Sequence, residues 1–225
     1  MNKRVIVLLS GGMDSSTCLA LVKSKNYDCY AISFDYGQPH QGELAAAKRV
    51  AEHIGVQEHK IFTFNMAAFG GTVLNNHNYG KTRTYLSKTL PVVQAPSHNP
   101  IFLAIAIGWG ELIDAYDIFI GATTVDWANN PDCTPKFLNA FEKAANYGTK
   151  AGISGMRFKI HAPFNSMSKG EIVKKGLALD FDYSLTLSCY QPEKNNRACG
   201  VCHSCRERKE GFQEAGVFDP VLYAR

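Results

Sequence analysis

The 225-residue chain has no run of apolar residues approaching the ~20 needed to cross a bilayer. Its first apolar stretch follows Lys3-Arg4, is short, and ends in a glycine pair instead of a small-residue cleavage site, so it does not read as a secretory signal. No internal repeat and no low-complexity tract is present, which excludes solenoids and biased disordered segments. Charge of one sign is also scarce. The formal net charge is +4 with 20% charged residues, whereas a strongly basic nucleic-acid binder carries more, in clusters. No membrane association and no direct nucleic-acid binding are expected. A cytoplasmic location is expected, where thiols stay reduced, so the seven cysteines need an explanation other than disulfides.

What is present suits one large domain, or one domain plus a small appendage, with 45% hydrophobic residues to bury a core. Val5–Leu9 reads as a fully buried strand and Asp14–Lys25 as a helix. Cys29–Phe34, His59–Phe64, Asp117–Ile120 and Phe158–Ile160 read as further strands. Gly42–Ile54, Ile101–Ile113 and Pro135–Tyr147 read as helices. Ser168 and Glu171 form a capping-box pattern that opens another helix. The stretch 65–99 has no clean period and is long for a loop, so it either covers a site or builds an interface. Strands alternating with helices predict a doubly wound, Rossmann-like α/β fold with a parallel sheet. Such sheets bind ligands beyond the carboxyl ends of their strands, with the switch in direction expected beside the first strand.

At that point stands Ser10-Gly11-Gly12-Met13-Asp14-Ser15-Ser16. Two glycines let backbone approach an anion closely, and the following helix aims its N-terminus at the same place. No lysine follows, so this is not the Gly-x-x-x-x-Gly-Lys-Ser/Thr loop, and it is not Gly-x-Gly-x-x-Gly. The residues alone leave two readings open: a phosphate cradle with hydroxyl donors, or a tight strand-to-helix turn with serine caps.

Near the other end, Cys189, Cys199, Cys202 and Cys205 lie within seventeen residues, two of the gaps being x₂. Four thiolates at this spacing suit tetrahedral Zn²⁺ in a closed, structural site. An iron–sulfur cluster uses similar runs, and colour of the purified protein separates the two. Gly200 permits a tight turn with N–H groups facing the sulfurs. His203 reads as a surface residue.

The Ser10–Ser16 motif resembles the pyrophosphate loop of the N-type ATP pyrophosphatases, which include GMP, asparagine and NAD synthetases and tRNA-thiolating enzymes. The resemblance sharpens along nearly the whole chain. "FDYGQ", "HQGELAAAKRVAEHIGV", "PDC", "PFNSMSKGEIV", "DYSLTLSCYQP" and "ACGVCHSCRERKEGFQEAG" are similar to the QueC family. This implies residues 1–180 as the pyrophosphatase-type domain and 181–225 as a zinc-binding segment packed on it. It also implies ATP, Mg²⁺ and Zn²⁺ as cofactors, and a homodimer. The implied reaction adenylates 7-carboxy-7-deazaguanine, adds ammonia to give an amide, and spends a second ATP to reach the nitrile, a queuosine precursor. With no glutaminase-sized second domain, ammonia arrives free or from a separate partner.

The implied nucleotide contacts are Leu9, Ser10, Gly11, Gly12, Met13, Asp14, Ser15, Ser16, Phe34, Asp35 and Gln38, and the implied catalytic residues are Asp14, Lys169, Asp126 and Asp132. Plain alternatives stand beside them. Lys169 is otherwise a solvated first-turn lysine, the aspartates otherwise cap turns before Pro131 or Pro135, and Phe34, Tyr36 and Trp127 are otherwise core. Cys133 reads as a buried, inert thiol, not a persulfide carrier. Three family arginines are absent, at Pro39, His98 and Thr134, and Thr186-Leu187-Ser188-Cys189 stands where the family has Thr-Trp-Ser-Cys. Arginine binds carboxylate or phosphate in a fork that these residues cannot form, so a related acid or an amide product is a second reading. A third, an RNA-binding zinc knuckle with a dead nucleotide site, rests on Arg197, Arg206, Arg208 and Lys209.

Overall fold

The computed structural model describes residues 2–38, 41–65, 84–87, 90–92, 98–123, 130–193 and 197–224. In chain order the elements are β1 (Arg4–Leu8), α1 (Met13–Lys23), β2 (Asp28–Asp35), α2 (Gly42–Ile54), β3 (Glu58–Thr63), β4 (Thr84–Ser87), β5 (Leu90–Val92), α3 (Asn99–Ile113), β6 (Asp117–Phe119), α4 (Pro135–Gly148), α5 (Lys150–Ile153), β7 (Lys159–His161), α6 (Lys169–Leu177) and α7 (His203–Ala215). Short 3₁₀ turns cover Pro131–Cys133 and Tyr183–Leu185.

Five strands form one sheet in the order β3-β2-β1-β6-β7, every pair parallel. Alternation along β1 supplies both faces. Val5 and Val7 enter one core with Leu19, Phe164, Ile172 and Phe212, while Ile6 and Leu8 enter the other with Ile32, Leu103, Ile118 and Phe158. The chain moves outward from β1 through β2 to β3, then returns to the other side of β1 as β6 and β7. The direction therefore switches at β1, and the Ser10–Met13 loop leaves the sheet there.

Local chemistry sets the helix starts that matter for the site. Thr134 Oγ1 accepts from Phe137 N at 3.3 Å ahead of Pro135, which opens α4. The capping box on α6 is present: Ser168 Oγ accepts from Glu171 N, and Glu171 Oε2 accepts from Ser168 N at 2.7 Å. Expected elements and observed ones agree within about two residues at each end. The hairpin of β4 and β5 within 65–99 was not expected, because antiparallel strands of four and three residues are too short to leave a readable period. Most of that stretch lies outside the described residues. No helix among the described residues is long and apolar enough to cross a membrane.

Candidate active site

The two loop glycines have different jobs. Gly11 has φ +90°, and a Cβ there would collide with the Glu43 carbonyl and stand 2.5 Å from Ala47 N, so α2 packs directly on this backbone. Gly12 has an ordinary φ of −75° and is the N-cap of α1. A Cβ on it would face three oxygens, Ser10 Oγ at 3.4 Å, Ser188 Oγ at 3.5 Å and the Leu187 carbonyl at 4.0 Å. Gly11 is required by packing, whereas Gly12 stands at the positive end of α1 with these oxygens at ordinary contact distance from the place a Cβ would take.

Hydroxyls organise this loop from within. Gly12 N donates to Ser10 Oγ at 3.3 Å, Ser10 N donates to Ser15 Oγ at 3.2 Å, and the Ser10 and Ser15 hydroxyls are 2.9 Å apart. Met13 N donates to Ser188 Oγ at 3.0 Å. Ser16 and Leu9 are buried, and the Leu9 backbone is engaged on both sides, its N–H by Ile32 O and its carbonyl by Ser33 Oγ. The Met13 side chain is in the core beside α1. Ser10 is the exposed hydroxyl of the set.

Lys169, the first residue of α6, is buried, with only 8% exposure, and its Nζ lies 2.7 Å from Asp14 Oδ2 and 3.4 Å from Thr123 Oγ1. The solvated first-turn reading of Lys169 is thereby corrected: the close seat of α6 on α7 turns the side chain inward. A Cβ on Gly211 of α7 would stand 2.7 Å from Lys169 Cβ. Glu214, also on α7, accepts from Ser168 Oγ at 2.5 Å and from Gly170 N at 3.1 Å. The N-terminus of α6 is thus filled by two protein carboxylates, Glu171 and Glu214, and its cationic reach toward α1 is carried by the Lys169 side chain.

The remaining expected contacts gather at the ends of β2 and α3. Asp35 is half-buried and accepts from Gly37 N and Gln41 Nε2, both at 3.4 Å. Gln38 folds back on its own turn, accepting from Tyr36 N at 2.9 Å and donating to Phe34 O at 3.2 Å. Phe34 stacks on Phe102 at 4.0 Å, within the core. Asp132 is buried, and its Oδ2 accepts from Asn99 N at 3.1 Å, so it caps the start of α3. Cys133 is buried and lies 3.2 Å from Asn99 Nδ2. His98 packs against Tyr36 and Phe102, while Thr134 serves as the α4 cap. Asp126, Trp127 and Pro39 lie outside the described residues.

The four cysteine sulfurs lie within 4.8 Å of one another. A tetrahedron with metal–sulfur bonds of ~2.3 Å has sulfur–sulfur edges of about 3.8 Å, so the cluster fits one ion after a small contraction. Gly200, at φ +74°, makes the turn, and Cys199 N and Gln191 N donate to Cys189 Sγ at 3.2 and 3.4 Å. Cys202 N donates to Cys199 Sγ at 3.4 Å. Hydrogen bonds from Cys189 and Cys205 push the Cys202 thiol far below its ordinary value, and the same sharing pushes Cys189 up. His203 is largely exposed and pairs with Glu207 at 3.0 Å, outside the sulfur set. Every position of a tetrahedral ion is taken by sulfur, which suits bracing and not water activation.

The sequence reading named Thr186–Cys189 only as a departure from the family and Arg208 only as part of a basic group, not as the segment that joins the cysteines to the loop. Leu187 N donates to Gly11 O at 3.0 Å, beside the Ser188–Met13 contact. Arg208 of α7 is buried. It donates to Asp219 through Nε and Nη2 at 2.8 and 2.9 Å, to Thr186 Oγ1 at 2.7 Å, and to Tyr183 O at 3.3 Å. The sequence signal for this was slight, a Ser-Cys pair and an arginine inside a helix of mixed charge.

Comparison with known proteins agrees with this geometry. The family model for "Queuosine biosynthesis protein QueC" matches residues 4–216. A 7-cyano-7-deazaguanine synthase from Pseudomonas putida (strain W619) is 49% identical over 221 residues, covering 98% of both chains. One from Legionella pneumophila (strain Philadelphia 1) is 50% identical over 223 residues, covering 99% of this chain and 98% of the relative. Among solved structures, NMN synthetase from Francisella tularensis superposes with a TM-score of 0.53 at 15% identity, covering 96% of this chain and 78% of that one, and shares the fold. With the family model spanning both the glycine-pair loop and the cysteine cluster, this chain belongs to the QueC family of queuosine biosynthesis proteins.

Proposed function

We propose that this chain is an ATP-dependent ligase that converts 7-carboxy-7-deazaguanine and ammonia into 7-cyano-7-deazaguanine. The observation that carries the reading is the near-full-length match to synthases of that name, joined to a glycine-pair loop with Lys169 and Asp14 at its mouth.

The substrate carboxylate attacks the α-phosphorus of ATP and pyrophosphate leaves, giving an acyl adenylate. Ammonia attacks the acyl carbon, AMP leaves, and a proton is lost to give the amide. The amide oxygen attacks a second ATP, pyrophosphate again leaves, and loss of AMP and a proton gives the nitrile. No protein nucleophile is needed, so the chain's task is to position reactants and stabilise charge. Gly12 and the start of α1 receive the departing pyrophosphate, and Lys169 answers the charge that develops on it. Mg²⁺ would supply charge neutralisation for the phosphates, and Asp14 is the carboxylate that would help to hold it. Asp126 and Asp132 are kept as proposed catalytic carboxylates, and Leu9, Ser10, Met13, Ser15, Ser16, Phe34, Asp35 and Gln38 as proposed nucleotide-binding residues. Zn²⁺ is assigned to Cys189, Cys199, Cys202 and Cys205. Residues 1–180 form the catalytic domain and 181–225 the metal segment, in a cytoplasmic homodimer.

An amide-only product is not favoured. Thr134 is spent on capping α4 and His98 on aromatic packing, so neither departure from the family arginines marks a different acid. The test supplies 7-carboxy-7-deazaguanine, ATP, Mg²⁺ and ammonium and reads products by mass. Nitrile with two AMP per molecule is expected; amide alone, or no AMP, overturns the reading.

A further inference from the structure

Ser188 is not among the nucleotide-binding residues suggested by the loop motif, yet its hydroxyl stands beside Gly12 and Met13 of that loop. Its Oγ accepts from Met13 N at 3.0 Å, and Arg208 Nη1 stands 3.5 Å away. A serine hydroxyl has two acceptor sites and one proton to give. Here both acceptor sites face N–H groups, one of them on a cation. Among the described residues nothing accepts the proton of Ser188 Oγ. A Cβ built on Gly12 would stand 3.5 Å from the same oxygen, so the hydroxyl adjoins the loop backbone.

The surroundings hold the hydroxyl in this pose. Leu187 N is bonded to Gly11 O, Cys189 belongs to the sulfur cluster, and Arg208 is fixed by Asp219 and Thr186. Ser188 is thus a fixed hydroxyl with a proton to give, beside the loop where an anion is expected. The adjoining amides make the same choice of sign, since an oxygen that receives two N–H groups gives up its own proton more readily.

We infer that the Ser188 hydroxyl is a polyphosphate-binding donor, contributed by the cysteine segment to the loop at the start of α1. The contact is to a non-transferred phosphate oxygen of the leaving pyrophosphate. This inference rests on the ATP reading above.

The test is calorimetric titration of the metal-loaded full chain with ATP, pyrophosphate and AMP. A hydrogen bond to a charged acceptor is worth about 10- to 100-fold in affinity. Ser188→Ala weakens ATP and pyrophosphate by that factor and leaves AMP within twofold, with metal per chain unchanged. Ser188→Thr, which keeps the hydroxyl, binds ATP within about threefold of the parent. Equal loss for ATP and AMP, or no loss for either, overturns the inference and makes Ser188 a structural strut. Failure of the unsubstituted chain to bind either ATP or pyrophosphate instead overturns the ATP reading itself.

Discussion

Lys169 Nζ and Asp14 Oδ2 lie 2.7 Å apart, joining the first turns of α6 and α1 across 155 residues of sequence. The lysine side chain is 9% exposed and the aspartate 24%, so the pair is screened less than a surface ion pair. An ammonium held there is prepaid in position before any nucleotide arrives. Lys169→Met is expected to lower kcat/KM for ATP by about 10²–10³-fold, the scale for removing one preorganised donor. Lys169→Arg should not restore it, because a planar fork does not occupy the space of a compact ammonium. AMP release under steady-state conditions checks both.

The two glycines of the loop are expected to fail in different ways. Gly11→Ala imposes φ +90° on a residue with a Cβ and drives that carbon into α2, for a loss of roughly 2–5 kcal/mol. Gly12→Ala has ordinary φ and no contact closer than 3.4 Å, so it should fold nearly as well as the parent and lose ATP affinity because a methyl group keeps phosphate from approaching the backbone. Urea denaturation alongside ATP titration separates the outcomes.

Metal removal is expected to loosen the segment that reaches the loop. A colourless preparation with one zinc per chain is predicted, and a brown one would identify an iron–sulfur cluster instead. Cys199→Ser or prolonged chelation, at a loss of about 3 kcal/mol, lowers Tm by roughly 6–12 °C for a chain of this size. Scanning calorimetry with metal analysis provides the check.

Asp117 gives a pH signature. Burial alone would raise its pKa, but hydrogen bonds from His161 at 2.7 Å and Lys3 at 2.6 Å outweigh it, and the carboxyl sits below its ordinary value of 3.8. A depressed folded pKa contributes stability that is present above the unfolded value and is lost as pH falls through the folded one. Stability should therefore decline below pH 3.8 more steeply than in Asp117→Asn, whose acid limb is flatter. Denaturation midpoints at a series of pH values measure the difference.

How far the sequence went can be seen residue by residue. β1 was readable as a short continuous apolar run, being buried on both faces, and α2 by its 3.6-residue apolar stripe. The sulfur cluster was readable because its ligands are close in sequence. The Lys169 ion pair was only half readable. The capping box located its helix, but whether the side chain turned to solvent depended on Gly211 and Glu214, forty residues away. Asp132 was read toward the ligand, and its bond to Asn99 N depends on a tertiary meeting of two turns that no local pattern announces. Arg208 and Ser188 were named in the sequence without these roles for the same reason. Their partners are defined by packing, and side-chain identity alone does not say which hydroxyl or guanidinium meets which backbone group.

The Ser188–Met13 contact has a consequence for how the protein is made. The two residues are 175 apart in the chain, which at 5–20 residues per second is roughly 9–35 s of translation. Throughout that interval the emerging N-terminal strand and helix lack the hydroxyl that takes up Met13 N. The loop therefore takes up its final hydrogen bonding only after the cysteine segment has emerged, when most of the chain has been made.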